Sequence, residues 1–261
     1  MALWTNYVDG IHNAFGYLFA NWVPDQPLAL GDYGRFVDGV FHKDGTLKQL
    51  GIGVVLGPQQ VGQALYDYHS ENSSIAQLTI DGSGPASGAA VKAGLEIKFK
   101  DENSSFFNAS GCSIREITNL ASIGDAVRDK LHDGSWQYDL VVITTLITAK
   151  STTAITSTSR DASIVLEAEG NVPKVDLASA DLKLAVASQS NIGLKIITQP
   201  DCSPLFACHK AHWRLLGKPD WQVKHLRESV NEPSTAAQID ALRSAGEMEK
   251  EEFDFVELGK R

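Results

Sequence analysis

Two cysteines and two histidines lie near one another late in the chain, at Cys202, Cys208, His209 and His212. Thiolate sulfur and imidazole nitrogen are ligands that zinc prefers, so these four residues could in principle hold a zinc ion. Five residues separate the two cysteines, however. Cysteine pairs in zinc sites are usually about two to four residues apart. We therefore expect neither a metal nor a cofactor.

Catalytic chemistry would need a nucleophile beside a base, or a loop that binds phosphate. The sequence contains no G-x-S-x-G, no H-E-x-x-H and no phosphate-binding loop, and its seven histidines form no known catalytic motif with a candidate nucleophile. The glycine-rich stretch at residues 82–90 is not followed by a helical pattern, so we interpret it as a flexible hairpin connection and not as a dinucleotide-binding motif. The sequence predicts a protein that is not an enzyme.

Charge and composition narrow the class of partner. The chain has 261 residues, of which 43% are hydrophobic and 21% charged, as in an ordinary globular protein, and its net charge is −9. An acidic protein lacks the cations that neutralise phosphates, so we expect no nucleic acid as a partner. The charge is uneven: residues 209–231 carry a net charge of +3 and residues 232–261 one of −4.

Cellular location is suggested by the cysteines and by the first residues of the chain. The three cysteines are an odd number at irregular spacing, which is typical of a reducing compartment. The first 20 residues do not have the pattern of a signal peptide. No apolar run reaches the length of about 18 residues that a membrane helix needs. We expect a cytoplasmic protein.

The elements begin with an amphipathic helix and continue mostly as strands. Within residues 3–19 the apolar residues recur at three- and four-residue steps. Residues 91–99 alternate strictly between apolar and polar, and residues 76–80 alternate before the glycine-rich connection. A helical spacer at residues 113–132 separates this first β region from a second one, which starts near residue 140 and is rich in β-branched residues.

This order predicts an α+β fold, a twisted antiparallel β-sheet with flanking helices. Two long hairpin regions lie on either side of the helical spacer. We place one domain at residues 1–208 and a C-terminal basic segment with an acidic tail at residues 209–261. In that tail, residues 235–252 have the pattern of a weakly held helix.

The second β region carries a resemblance to a known family. Val142, Thr145, Leu146, Thr148 and Lys150 stand at positions that match a strand of the gasdermin pore-forming domain, where a strand of this form leads into a membrane-inserting hairpin. Residues 88–99, together with the Ser/Asn-rich tract at residues 103–111, resemble that family's first inserting hairpin and the strand after it. The resemblance covers roughly residues 3–200 as an order of elements.

The resemblance implies a protein that oligomerises on acidic membranes and opens a β-barrel pore, with hairpins that leave the soluble fold. It is closest to the stand-alone fungal proteins of allorecognition, in which two incompatible allelic variants act together. We expect no separate autoinhibitory domain, a homo- or hetero-oligomer, and relocation from the cytoplasm to the plasma membrane on activation. The membrane-inserting candidates are Val91, Ala93, Leu95, Ile97, Phe99, Val142, Leu146, Ile164, Leu166, Leu182 and Leu184.

Acidic phospholipid would be bound by cations and aromatic rings. The turn at residues 35–43 combines Phe36, Val40 and Phe41 with two bases, and these side chains either are exposed or fold back onto the sheet. The lipid-binding candidates are Trp4, Phe15, Phe19, Arg35, Phe36, Phe41, Lys43, Lys210, Arg214, Lys218, Lys224 and Arg227. The alternative from another class is a non-lytic cytosolic binding module, because the same alternation also builds a half-buried sheet.

Overall fold

A computed structural model of the protein describes residues 3–22, 26–80, 92–169, 174–197, 202–213 and 253–258. The predicted helix at residues 235–252 and the glycine-rich connection at residues 82–90 lie outside these ranges. The described part has an α+β fold in which antiparallel strands dominate and helices pack against the sheet. The coarse prediction of the fold class is therefore confirmed.

Two α-helices occur in the described residues, α1 (Leu3–Phe15) and α2 (Leu120–His132), besides a short 3₁₀ helix at Leu47–Leu50. The predicted first helix continued to residue 19, but α1 ends earlier because Gly16 takes a positive φ of 73° and its N–H bonds to the His12 carbonyl. In α2, Ile123, Val127 and Leu131 form a buried stripe at four-residue spacing. Residues 113–116, which were predicted as the start of that helix, belong to a strand.

Fourteen strands are found in the described residues. They are β1 (Phe19–Ala20), β2 (Asp32–Val37), β3 (Val40–Thr46), β4 (Gln60–His69), β5 (Ser73–Ile80), β6 (Lys92–Phe99), β7 (Ser105–Glu116), β8 (Val141–Ala149), β9 (Ser151–Ser157), β10 (Ala162–Ala168), β11 (Leu184–Ser190), β12 (Ile192–Ile197), β13 (Cys202–Trp213) and β14 (Phe253–Glu257). They form two sheets, and every named pairing between them is antiparallel.

The large sheet has ten strands and runs in the order β1-β13-β8-β7-β9-β12, with β14 on β13, β2 on β8, β3 on β2 and β4 on β7. The small sheet has four strands in the order β11-β10-β6-β5. The small sheet therefore consists of two sequence-local hairpins, β5–β6 and β10–β11, that meet along β6 and β10.

The core sits on both faces of the large sheet, and two neighbouring residues of β7 show this. Phe107 points into the cluster that α1 builds, where its ring lies 6.2 Å from that of Tyr7. Phe106 points the other way, into the cluster that the small sheet builds. Successive side chains of a strand point to opposite faces, so α1 and the small sheet cover opposite faces of this part of the large sheet.

The C-terminal strand β14 was not predicted from the sequence. It pairs with β13, with Ala211 opposite Phe255, and Phe255 packs against Gly124 of α2. The alternation of Phe253, Phe255 and Val256 with Asp254 and Glu257 offered a weak signal for it. The sequence-based boundary between residues 208 and 209 falls inside β13.

Candidate functional site

The small sheet gathers most of the predicted membrane-inserting residues. Strands β6 and β10 pair so that Leu95 lies opposite Leu166, Ile97 opposite Ile164 and Phe99 opposite Ala162. Directly opposed residues of an antiparallel pair lie on the same face of the sheet. Ala93, Leu95, Ile97, Phe99, Ile164 and Leu166 thus form one continuous apolar face.

That apolar face is hidden from solvent in the described structure. It packs against Phe106 and Ile155 of the large sheet, and against Val175 of the segment between β10 and β11. The opposite face of β6 carries Glu96 and Lys98, whose side chains form an ion pair with a nitrogen–oxygen distance of 2.9 Å. Strand β6 therefore has one apolar and one polar face, as the alternation in its sequence predicts.

Strand β11 extends the same face. Its pairing with β10 places Leu184 opposite Ala168 and Val186 opposite Leu166, with a bulge between this part and the rest of the strand. Leu182 precedes the strand but packs on the same cluster. Val186 was missed as a candidate, although it continues the alternation of Leu182 and Leu184. Val91 lies outside the described residues.

Strand β5 has the opposite phase. Gln77 lies opposite Leu95, and Ala76 lies opposite Glu96. Ala76 and Leu78, which belong to the apolar alternation of β5, therefore share the face of Glu96 and not that of Leu95. The Gln77 side chain explains part of this register, because its amide nitrogen donates to the Val175 carbonyl at 2.8 Å and its oxygen accepts from the Val175 N–H at 3.3 Å.

Two inserting candidates and one predicted hairpin tip lie elsewhere. Val142 and Leu146 belong to β8 in the large sheet, and Val142 is fully buried against the cluster around α2. The small and hydroxylated side chains of residues 151–159 predict a hairpin tip, but residues 151–157 form β9, which is buried along its whole length. Its hydroxyls are satisfied inside the sheet: Thr156 Oγ1 accepts from the Leu194 N–H at 3.0 Å, and Ser157 Oγ donates to the Asp101 carbonyl at 2.8 Å.

The aromatic lipid-binding candidates near the first helix are packed on the protein itself. Phe19 is 6% exposed and stacks on His12 with a centroid distance of 4.5 Å. Phe15 contacts Tyr66 edge to face at 5.4 Å. Trp4 is half-buried and lies 6.4 Å from the ring of Trp22. In this conformation these rings contribute to the core more than to the surface.

The β2–β3 hairpin folds its aromatic residues inward. Its two-residue turn, Asp38–Gly39, has positive φ at both positions, as a tight hairpin turn with a right-handed strand twist requires. Phe36 and Val40 are each 8% exposed, and Phe36 stacks on Phe206 at 6.2 Å. The expectation that these residues are exposed is wrong, and the alternative that they fold back is confirmed. Phe41 is half-buried on the same cluster.

The two cations of that hairpin are engaged in ion pairs. Arg35 contacts Asp44 at 2.8 Å and Asp139 at 3.2 Å, and its hydrogen bond to Asp44 raises the pKa of the guanidinium. Lys43 Nζ lies 2.8 Å from Asp32 Oδ1, and Asp32 is itself 1% exposed. Each cation is thus already matched by a carboxylate, which weakens its attraction for an anionic surface.

Lys210 is the described member of the basic C-terminal set. It is 9% exposed, lies on β13 and holds its Nζ 5.9 Å from the centre of the Tyr138 ring. Burial lowers the pKa of its ammonium group. The other members, Arg214, Lys218, Lys224 and Arg227, lie outside the described residues.

The candidate zinc ligands are spread over different surroundings. Cys202 packs against the α1 cluster and lies 2.9 Å from Thr152 Oγ1, whereas Cys208 is buried in the cluster around Phe206. Burial raises the pKa of the Cys208 thiol. His209 Nδ1 lies 2.8 Å from Thr144 Oγ1, and its ring stacks on Phe255. Within the described ranges no three such side chains are placed to hold a metal ion.

No family model and no curated protein matches the chain. Among the described residues, no helix combines the length and the apolar character needed to cross a membrane.

Proposed function

We propose that this chain is a pore-forming protein that oligomerises on acidic membranes and inserts the hairpins β5–β6 and β10–β11 as strands of a β-barrel. It would execute regulated cell death of the allorecognition type, as the resemblance to gasdermins implies. The protein is cytoplasmic while soluble and acts at the plasma membrane, as a homo-oligomer or together with an allelic variant. The observation that carries the proposal is the small sheet itself, in which two hairpins already lie side by side with a continuous apolar face.

The chemistry of a bilayer favours this arrangement. Inside hydrocarbon every backbone N–H and C=O must be bonded within the protein, so strands can cross only as a closed barrel. The strands β6 and β10 have eight and seven residues, and a spanning strand needs about 9 to 11. Each strand would therefore lengthen by a few residues into its connection. Val91 beside β6 and Leu182 before β11 continue the apolar alternation into those connections.

The energy balance of insertion rests on the apolar face. If the small sheet left Phe106 and Ile155 of the large sheet, side chains such as Leu95 and Ile97 would be exposed. Burial of each such side chain contributes roughly 1.5–3 kcal/mol. Hydrocarbon would cover the same side chains again, whereas water would not. The polar face, with Glu96 and Lys98, would line an aqueous channel. Insertion is thus an exchange of one apolar environment for another.

A second candidate function is a non-lytic cytosolic binding module. Two observations favour it: the apolar face of β6 and β10 is fully packed in the described structure, and β5 carries Ala76 and Leu78 on the other face. A sheet whose apolar face is already covered by the rest of the protein needs no membrane to cover that face. The module would act through its exposed surface and leave membranes intact.

Dye release from liposomes separates the two functions. Purified full-length protein is added to vesicles that contain phosphatidylserine, and to vesicles of phosphatidylcholine alone. If one chain needs an allelic partner, the same assay is run with both variants together. A pore former releases dye from the acidic vesicles, in proportion to the oligomer that forms on them. Intact vesicles in every arm, despite folded protein, would favour the binding module.

A further inference from the structure

A cleft of about 450 Å³ lies between the first helix and two turns of the sheets. One wall is the polar face of α1, with Asn6, Asp9 and Asn13. The other walls are the β4–β5 turn at residues 68–72 and the β6–β7 turn at residues 101–105. These segments are far apart in the sequence, so no sequence pattern could predict the cleft.

The lining of the cleft is acidic. It contains four carboxylates, those of Asp9, Glu71, Asp101 and Glu102, together with side-chain amides and hydroxyls. No lysine or arginine belongs to the lining among the residues that the structure describes. Carboxylate and amide oxygens that converge in this way accept hydrogen bonds from N–H groups and attract positive charge.

Ser105 adds an independent sign that the cleft holds a ligand. It lines the cleft, is 1% exposed, and its Oγ has no hydrogen-bond partner. Ser105 stands on the same face of β7 as Phe107, which contacts Tyr7 of α1, so its side chain points toward the α1 wall. A buried hydroxyl without a partner is costly, and the cost disappears when a bound molecule supplies the missing hydrogen bond.

The geometry favours an organic cation over a metal ion. Asp101 is already engaged with the Asn72 amide at 2.6 Å, and no three acidic, cysteine or histidine side chains of the described chain are placed to surround a metal. A volume of about 450 Å³ is in the range of small-molecule sites. Carboxylates that are spread around such a space suit a ligand that has more than one positive group.

We propose that this cleft is a binding site for a small organic polycation, of the class of linear polyamines, whose N–H groups bond to Glu71, Glu102 and the Ser105 hydroxyl. The inference does not rest on the proposed pore, because the lining includes no residue of the apolar face of the small sheet, although two of its walls are the turns that flank β5 and β6. Bound polycation neutralises part of an acidic surface that would otherwise repel an anionic partner.

Calorimetric titration of the full-length protein with spermidine tests the proposal, at an ionic strength of about 0.15 M so that weak surface attraction is screened. We expect saturable binding that the double variant Glu71→Gln/Glu102→Gln weakens by about tenfold or more. The matched control is Glu116→Gln/Glu169→Gln, which removes the same charge from exposed positions outside the cleft. Equal weakening by both double variants, or no saturable binding at all, would overturn the proposal.

The variant Ser105→Ala isolates the buried hydroxyl. It removes an unpartnered polar atom, so the free protein should unfold at the same temperature as the wild type or a higher one. Its affinity for spermidine should nevertheless fall, by about threefold to tenfold, because one hydrogen bond to the ligand is lost. Unchanged affinity would contradict a ligand seated over Ser105. Displacement of spermidine by magnesium at equal ionic strength would contradict the class of organic cation.

Discussion

Leu95 and Leu166 lie directly opposite each other on β6 and β10, and their side chains are 1% and 0% exposed. The two hairpins of the small sheet are therefore joined through the very residues that would face lipid in a barrel. Because the contact already exists in the described structure, the proposed insertion would need no new pairing between β6 and β10. What must change is the surface that covers them.

The first prediction concerns the apolar face of β6. Leu95→Asp should abolish dye release, because it places a charge in hydrocarbon at a cost on the order of a few kcal/mol per strand, repeated in every subunit. It should also lower the free energy of unfolding of the soluble protein, since Leu95 is buried there as well. The control Glu96→Gln changes the polar face and should keep both properties. Equal loss of dye release from both changes would argue against the barrel.

The second prediction uses β5, whose exposed residues can be changed without disturbing the soluble core. Ile75 is 40% exposed and shares the face of Ile97, while its neighbour Ala76 is exposed on the face of Glu96. A lipid-facing strand should present Ala76 and Leu78 to lipid and not Gln77, which requires a one-residue shift of register during insertion. We expect Ala76→Asp to abolish dye release and Ile75→Asp to keep it.

The reverse result for this pair would show that β5 inserts in its soluble register. Retention of dye release by both variants would mean that β5 does not span the membrane. Thermal unfolding of both variants supplies the control, because each carboxylate replaces an exposed side chain and should cost little stability.

The sequence predicted β6 well because strict alternation with a period of two is typical of a strand with one buried face and not of a helix. For β9 the β-branched residues predict a strand, but its burial was not predicted, because Thr152, Thr153 and Thr156 are typical of a polar hairpin tip. Their burial depends on partners such as Leu194 and Cys202, which lie far along the chain. The phase of β5 was equally hidden, since register is fixed by long-range contacts such as Gln77 with Val175 and not by the strand's own pattern.

The third prediction distinguishes Lys210 from the other four basic residues of the C-terminal segment by their contribution to lipid binding. Replacing Arg214, Lys218, Lys224 and Arg227 together with glutamine should weaken binding to phosphatidylserine vesicles and reduce its salt dependence, because each cation near an anionic leaflet contributes about 1 kcal/mol. Lys210→Met alone should leave binding unchanged, since Lys210 is buried. Vesicle co-sedimentation over a range of salt concentrations measures both. Unchanged binding of the fourfold variant would place the lipid site elsewhere.

The fourth prediction is a pH dependence that originates from Lys210. Burial lowers the pKa of its ammonium group below the ordinary value of 10.5, so the unfolded chain binds a proton more readily than the folded one. This contribution destabilises the fold at pH values below the lowered pKa, and it disappears as the pH rises to 10.5. Urea unfolding of the wild type and of Lys210→Met measures this contribution. As the pH rises to 10.5, the unfolding free energy of the wild type should increase relative to that of the variant. A difference that is constant with pH would contradict it.

The strand β14 lies in the acidic tail and pairs with β13. Glu257 lies opposite His209 and Asp254 opposite His212, so two acids of the tail stand in register with two histidines of β13. Phe255 holds the strand in place by packing on Gly124 and stacking on His209 at 5.2 Å. Added strands of this kind are held by backbone hydrogen bonds and a few side-chain anchors. Leu258, which follows β14, is 5% exposed and packs with Phe206, so the fold of any variant that lacks β14 has to be checked directly.

The last prediction is that this tail restrains membrane binding. Deletion of residues 232–261 removes β14 and a net charge of −4, so the basic segment should bind acidic vesicles more strongly and dye release should be faster at matched protein concentration. Phe255→Ala weakens only the anchor and should give a smaller increase, whereas Phe255→Leu keeps much of the packing and should resemble the wild type. Equal or slower dye release by the deletion variant, with its fold intact by circular dichroism, would show that the tail has no restraining role.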